Sequence, residues 1–249
     1  MDVPAATPDV PAVLGRALRY PYDRPAGPVG FDIATGTARP LAPSDVGARG
    51  RTAVLAVGSN AAPEQLARKF APDGPVGGTI PVLPVRWRDH DVVFAARLSS
   101  YGALPATPLP SDGTVVDVHV TLLDDDQLAV MHRSESVGDE RPAYEVVEVA
   151  PRSVEVPGGA GVTLPSGALL AYASVAGPLH LDDGPVALAA VTASGRRHPA
   201  RTEAEVLTAV ARSLGTDVAD LVLGAVADRD RRDEVDRRLP PRPTRQRPP

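Results

Sequence analysis

The chain has 249 residues, 43% hydrophobic but only 4% aromatic, so Val, Ala and Leu must fill a core that this length is ample to bury. With 26 Lys+Arg against 31 Asp+Glu the formal net charge is -5, which gives no electrostatic reason to expect nucleic acid as a partner. Cysteine is absent, which excludes disulfides, thiolate metal sites and a cysteine nucleophile.

Residues 1–50 are rich in Pro, Gly and Ala and suggest little regular structure, yet Tyr20, Tyr22 and Phe31 fall within them. Aromatics so scarce elsewhere favour a segment packed on the core, although composition leaves disorder open as well. The opening Met1-Asp2-Val3-Pro4 carries no positive charge before Arg16, so a secretory signal is not expected and a cytoplasmic location is the default. The most apolar stretch, residues 168–177, falls well short of the roughly 18 consecutive apolar residues of a membrane helix, and no membrane partner is expected.

From Arg51 the pattern turns globular. Ala53-Val54-Leu55-Ala56-Val57 reads as a buried strand ended by Gly58-Ser59-Asn60, and Pro63 opens a helix through Phe70 in which Leu66 and Phe70 share a face. A strand, a glycine bend and a helix start in succession would aim free amides and the helix dipole at a carboxylate or phosphate; an ordinary strand-to-helix turn is the alternative. Residues 82–88 and 92–98 read as a hairpin around Asp89-His90-Asp91, followed by a Pro-rich loop at 105–113. Residues 114–123 alternate Val116, Val118, Val120 and Leu122 with polar side chains, the mark of a strand buried on one face. Asp124-Asp125-Asp126 supplies capping oxygens for a helix through about Arg133. Further strands are expected at 144–149, 169–175 and 186–192. Thr202 and Glu205 fit a capping box opening a helix, and a last helix spans about 217–239. Residues 240–249, with five prolines and no apolar face, read as a disordered tail.

Glu135 falls on the apolar stripe of the helix that carries Leu128 and Met131. Two readings are open. Either the helix ends first and the carboxylate is solvated, or it stands at the rim of a cavity, where desolvation would raise its pKa and suit it to general acid/base work.

In order and spacing these residues resemble the γ-glutamylcyclotransferase superfamily. Val57-Gly58-Ser59-Asn60 resembles its Tyr-Gly-Ser-Asn loop; residues 106–122 resemble its Pro-Gly loop and following strand. Residues 123–137 resemble the helix ending in its catalytic Glu, and 144–149 the Tyr-bearing strand after it. The resemblance covers residues 54–175, about half the chain. It implies an α+β fold with a small mixed β-barrel and surrounding helices, here placed at 51–200, with residues 201–239 as a C-terminal helical extension. It also implies a γ-glutamyl small-molecule substrate, cyclised to 5-oxoproline by its own α-amine with no metal or cofactor. Glu135 would be the acid/base, Val57, Gly58, Ser59 and Asn60 would bind the substrate α-carboxylate, and Tyr144 would supply a pocket hydroxyl. Val57 stands where the family usually has Tyr, Ser136 where Gly is common, and Asp117 where a small residue is usual.

Other signals are weaker. Asp89-His90-Asp91 and His180-Leu181-Asp182-Asp183 have loop composition rather than metal-site spacing, and His132 reads as a helix-end residue or as sharing a face with Glu135. Gly74-Pro75-Val76-Gly77-Gly78 lacks the ending of a phosphate loop, and no Gly-x-Ser-x-Gly elbow occurs. Against the enzyme stands a non-catalytic carboxylate-binding module, or an interaction platform, on the same fold.

Overall fold

The computed structural model describes residues 9–46, 50–71, 74, 76–157, 164–182 and 184–239. The reading of residues 240–249 as a tail lies outside them. The N-terminal segment holds more regular structure than its composition suggests. Asp9 caps α1 (Val10–Leu18), β1 (Val29–Asp32) forms a hairpin with β2 (Thr37–Pro40), and α2 (Pro43–Val46) follows. The other edge of β1 pairs with β4 (Thr79–Phe94), so the segment joins the main sheet.

At the centre lies β3 (Thr52–Ala56), antiparallel to β5 (Ala106–Leu123) and parallel to β8 (Leu169–Ser174). Alternate β3 residues enter two cores, which is why the run is apolar throughout. Val54 and Ala56 pack with Phe31, Leu66, Phe70 and Met131, under α3 (Pro63–Lys69) and α4 (Asp125–Ser134). Ala53, Leu55 and Val57 pack with Trp87, Phe94 and Val118, and with Val206, Val210 and Leu221 of α5 (Glu203–Leu214) and α6 (Val218–Ala227). The C-terminal end of β3 therefore opens between two helical layers.

The remaining strands are β6 (Tyr144–Val149), which pairs with β8, and the short β7 (Val154–Glu155), β9 (His180–Leu181), β10 (Gly184–Pro185), β11 (Ala187–Leu188), β12 (Ala193–Ser194) and β13 (Ala200–Arg201). The main sheet runs β13-β11-β4-β5-β3-β8-β6. The fold is mixed α and β, but no pairing among the described residues joins the two ends of this path into the expected barrel. Its termini are unequal: β13 offers two residues and β6 offers six. No helix among the described residues is long and apolar enough to cross a membrane.

Several local expectations are corrected. Asp89-His90-Asp91 does not turn the chain: β4 runs straight through as one 16-residue strand with a register shift between Arg88 and His90. Asp89 takes a left-handed conformation (φ 59°) and its Oδ1 accepts from Gly113 N–H at 2.9 Å, so the polar triplet makes a bulge. His90 stacks on Trp87, and buried Asp91 pairs with Arg196 at 3.0 Å. The Pro-rich stretch is no loop but the first half of β5, where Pro108 and Pro110 stand opposite Val92 and His90. Being two apart, they lose donors on one side of the strand only. The strand expected at 186–192 shrinks to β11. The last helix is two: Asp228 ends α6, and its carboxylate accepts from Asp230 N–H at 2.8 Å to start α7 (Arg229–Arg238).

Thr202 and Glu205 do form the capping box of α5, and Glu203 beside them is buried against the core. Its Oε1 accepts from Leu104 N–H at 2.7 Å, while Oε2 has no partner among the described residues. Burial pushes this carboxyl well above the ordinary range, outweighing the Leu104 hydrogen bond. Between the unfolded and folded pKa values the folded state binds the extra proton, so stability falls as pH rises through that window. Glu203→Gln keeps the acceptor and removes the ionisation. The variant should gain more in melting temperature over wild type at pH 8 than at pH 5; equal gains would exclude Glu203 as the titrating group.

Candidate functional site

Beyond Ala56 the chain passes through Val57 and Gly58 into a 3-10 turn, Ser59–Ala61, before Pro63 starts α3. Gly58 has φ −116°, outside the left-handed region, so backbone conformation is not what requires glycine here. The requirement is steric: a Cβ would overlap Tyr20 Oη and lie 3.2 Å from Ala106 Cβ. Tyr20 comes from the N-terminal segment, and its hydroxyl accepts from Ala106 N–H at 2.7 Å. Tyr101 lines the same cavity as Ser59, which lies near enough to its hydroxyl to counter a part of the upward push of burial. Burial raises both phenols above their usual range, so they remain neutral. The N–H groups of Ser59 and Asn60 have no main-chain acceptor among the described residues.

Asp124 and Gln127 form a capping box on α4, which ends at Glu135, and Ser136 then takes φ 54° to turn the chain away. The two open readings of Glu135 resolve towards the cavity, since its side chain is only 11% exposed. It is not unpaired, however. Asn60 Nδ2 donates to Glu135 Oε1 at 2.9 Å, and Lys69 Nζ, from the last turn of α3, donates to the same oxygen. The Lys69 side chain is 8% exposed, so each charge offsets much of the other's desolvation. With both donors on Oε1, Oε2 accepts nothing from the described residues, yet it is not sealed from solvent.

Glu135 lines a cavity of about 960 Å³ together with the other residues that the resemblance assigned to the site, Val57, Gly58, Ser59, Asn60 and Tyr144. Tyr144, on β6, is buried; its hydroxyl makes a long 3.4 Å contact to Ala106 O, and burial and nearby Glu135 push it well above the usual phenol range. Tyr172 from β8 also lines the cavity and bonds His132 Nδ1 at 2.8 Å. Burial lowers the His132 pKa and favours the neutral ring. His132 thus turns to β8.

Sequence reasoning missed Lys69, Tyr20, Tyr101, Tyr172 and Arg97 as cavity residues. Four of the chain's five tyrosines line this single cavity, and the fifth, Tyr22, packs on two of them. In a chain so poor in aromatics, that concentration marks the place where hydroxyl-bearing rings are needed. The wall of α7, from beyond the stretch of sequence resemblance, also faces the cavity through Arg232 and Asp236.

No family model matches the chain, and no curated protein matches it. Among solved structures it is similar to one described as "Gamma-glutamyl cyclotransferase", with 19% identity and a TM-score of 0.37, covering 50% of this chain and 66% of that one. The chain thus spans just under two thirds of that structure's length. A likeness this distant bears on neither the site nor its chemistry.

Proposed function

We propose that this protein is a γ-glutamylcyclotransferase-like enzyme that cyclises a γ-glutamyl amide or peptide to 5-oxoproline and releases an amine or amino acid. The observation that carries the reading is the placement of Glu135 in the cavity shared with the Gly58 loop, with one carboxylate oxygen fixed by Asn60 and Lys69 and the other without a partner among the described residues. In this reading the amides of Ser59 and Asn60 hold the substrate α-carboxylate, which directs the α-amine towards the γ-carbonyl.

Glu135 Oε2 takes a proton from the α-amine as its nitrogen bonds the γ-carbon. The same oxygen returns that proton to the departing nitrogen as the original amide C–N bond breaks, so no proton is gained or lost overall. Lys69 and Asn60 keep the carboxylate from rotating between the two transfers. Holding amine and carbonyl at near-attack distance supplies a large share of the acceleration, because the attack is intramolecular. Tyr20, Tyr101 and Tyr144 remain neutral and offer hydroxyls to the substrate's polar atoms.

The Lys69 ion pair is also the observation that favours a second reading, a carboxylate-binding module in which the pair only braces α3 against α4. Turnover separates the two. Incubation with a panel of γ-glutamyl amines and dipeptides should yield 5-oxoproline in equal amount to the released amine from at least one member. Binding without product would establish the second reading.

A further inference from the structure

The cavity reaches well beyond the Gly58 loop. At about 960 Å³ it lies near the top of the roughly 300–1,000 Å³ range of pockets for drug-sized ligands. One wall is α7, where Arg229 and Asp230 are exposed, Asp233 has no side-chain partner among the described residues, and three other charges are engaged. Arg232 donates to Ala225 O at 2.6 Å, Arg237 to Glu234 at 2.6 Å, and Asp236 accepts from Leu98 N–H at 2.7 Å.

Arg97 is different. It is half-buried where this wall meets the inner site, with its guanidinium 5.8 Å from the centroid of the Tyr144 ring. Among the described residues its side chain makes no hydrogen bond and no ion pair. Asp236 is near enough to feel its charge, but burial raises that carboxyl and one oxygen is committed to Leu98. The other inner cation, Lys69, is already matched by Glu135. A guanidinium that is always charged, partly desolvated and unmatched is a receptor for a planar anion. The Tyr144 ring beneath it also senses Glu135, so the two charged groups flank one wall of the same cavity.

We propose that Arg97 binds a carboxylate on the departing half of the ligand, and so determines preference for γ-glutamyl amino acids or peptides over uncharged γ-glutamyl amines of equal size. This rests on the reading above, in which the γ-glutamyl end occupies the Gly58 loop and the departing end points towards Arg97.

The test compares γ-glutamylglycine with γ-glutamylglycinamide, which differ in that one charge. Wild type should show a kcat/KM about 10- to 100-fold higher for the acid, the discrimination expected of one charged hydrogen-bonded pair. In Arg97→Gln the ratio should fall to near one, and in Arg97→Lys, which restores charge without the planar fork, to an intermediate value. No discrimination by wild type, or a ratio unchanged in both variants, would overturn the assignment. If neither compound yields 5-oxoproline, the wider panel decides on catalysis and equilibrium binding of the same pair decides on Arg97. Tighter binding of the acid that is lost in Arg97→Gln would uphold the anion subsite, whereas equal or undetectable binding would reject it.

Discussion

Replacing Glu135 with Gln should lower kcat for the proposed 5-oxoproline formation by about 10²- to 10⁴-fold, the usual contribution of a positioned general acid/base. The amide keeps the shape and still accepts from Lys69 and Asn60, but it cannot carry the proton. Because Lys69 is nearly buried and loses its counter-charge, the variant should also lose roughly 1–3 kcal/mol of stability, less than the full cost of an orphaned buried ion. Lys69→Met combined with Glu135→Gln removes both charges and should recover much of the melting temperature without recovering turnover. The pair thus separates stability from chemistry. A Glu135→Gln enzyme with wild-type kcat would remove Glu135 from the mechanism.

Gly58→Ala should have the next largest effect. The new methyl group collides with Tyr20 Oη and presses on Ala106, so Tyr20 must leave the position from which it accepts the Ala106 N–H. Overpacking of this kind costs about 1–3 kcal/mol. Tyr20→Phe removes the colliding oxygen in advance, so the double variant should cost less than the sum of the single ones, a coupling that thermal melts can measure. Affinity for 5-oxoproline should fall as the loop shifts; unchanged affinity in a folded Gly58→Ala protein would mean that this glycine serves packing alone.

The parts of this architecture visible in sequence are those that local chemistry decides. The apolar run of β3, Pro63 at the start of α3 and the aspartates before α4 each act within a few residues, and so did the stripe that brought out Glu135. Where distant pairing decides, the sequence misleads. Asp89-His90-Asp91 has the composition of a turn, but β5 pairs with β4 on both sides of it and converts the triplet into a bulge. Pro108 and Pro110 look like a loop until β4 lies alongside. Asp228 sits in a run of charges, and only its capping of α7 reveals a break.

The same distinction holds in the cavity. The Gly58 loop and Glu135 lie on readable local elements, whereas Tyr20 reaches Ala106 across 86 residues and Lys69 meets Glu135 across 66. Tyr20 and Tyr101 bring rings and hydroxyls beside the loop from distant segments, which no local pattern could announce.

The most direct test is the crystal structure of the protein with 5-oxoproline, the product that the proposed reaction leaves in the site. The account expects the ligand carboxylate on the amides of Ser59 and Asn60, and the lactam nitrogen within hydrogen-bonding distance of Glu135 Oε2. A ligand bound away from Glu135, or with its carboxylate on Arg97 instead of the loop, would contradict it.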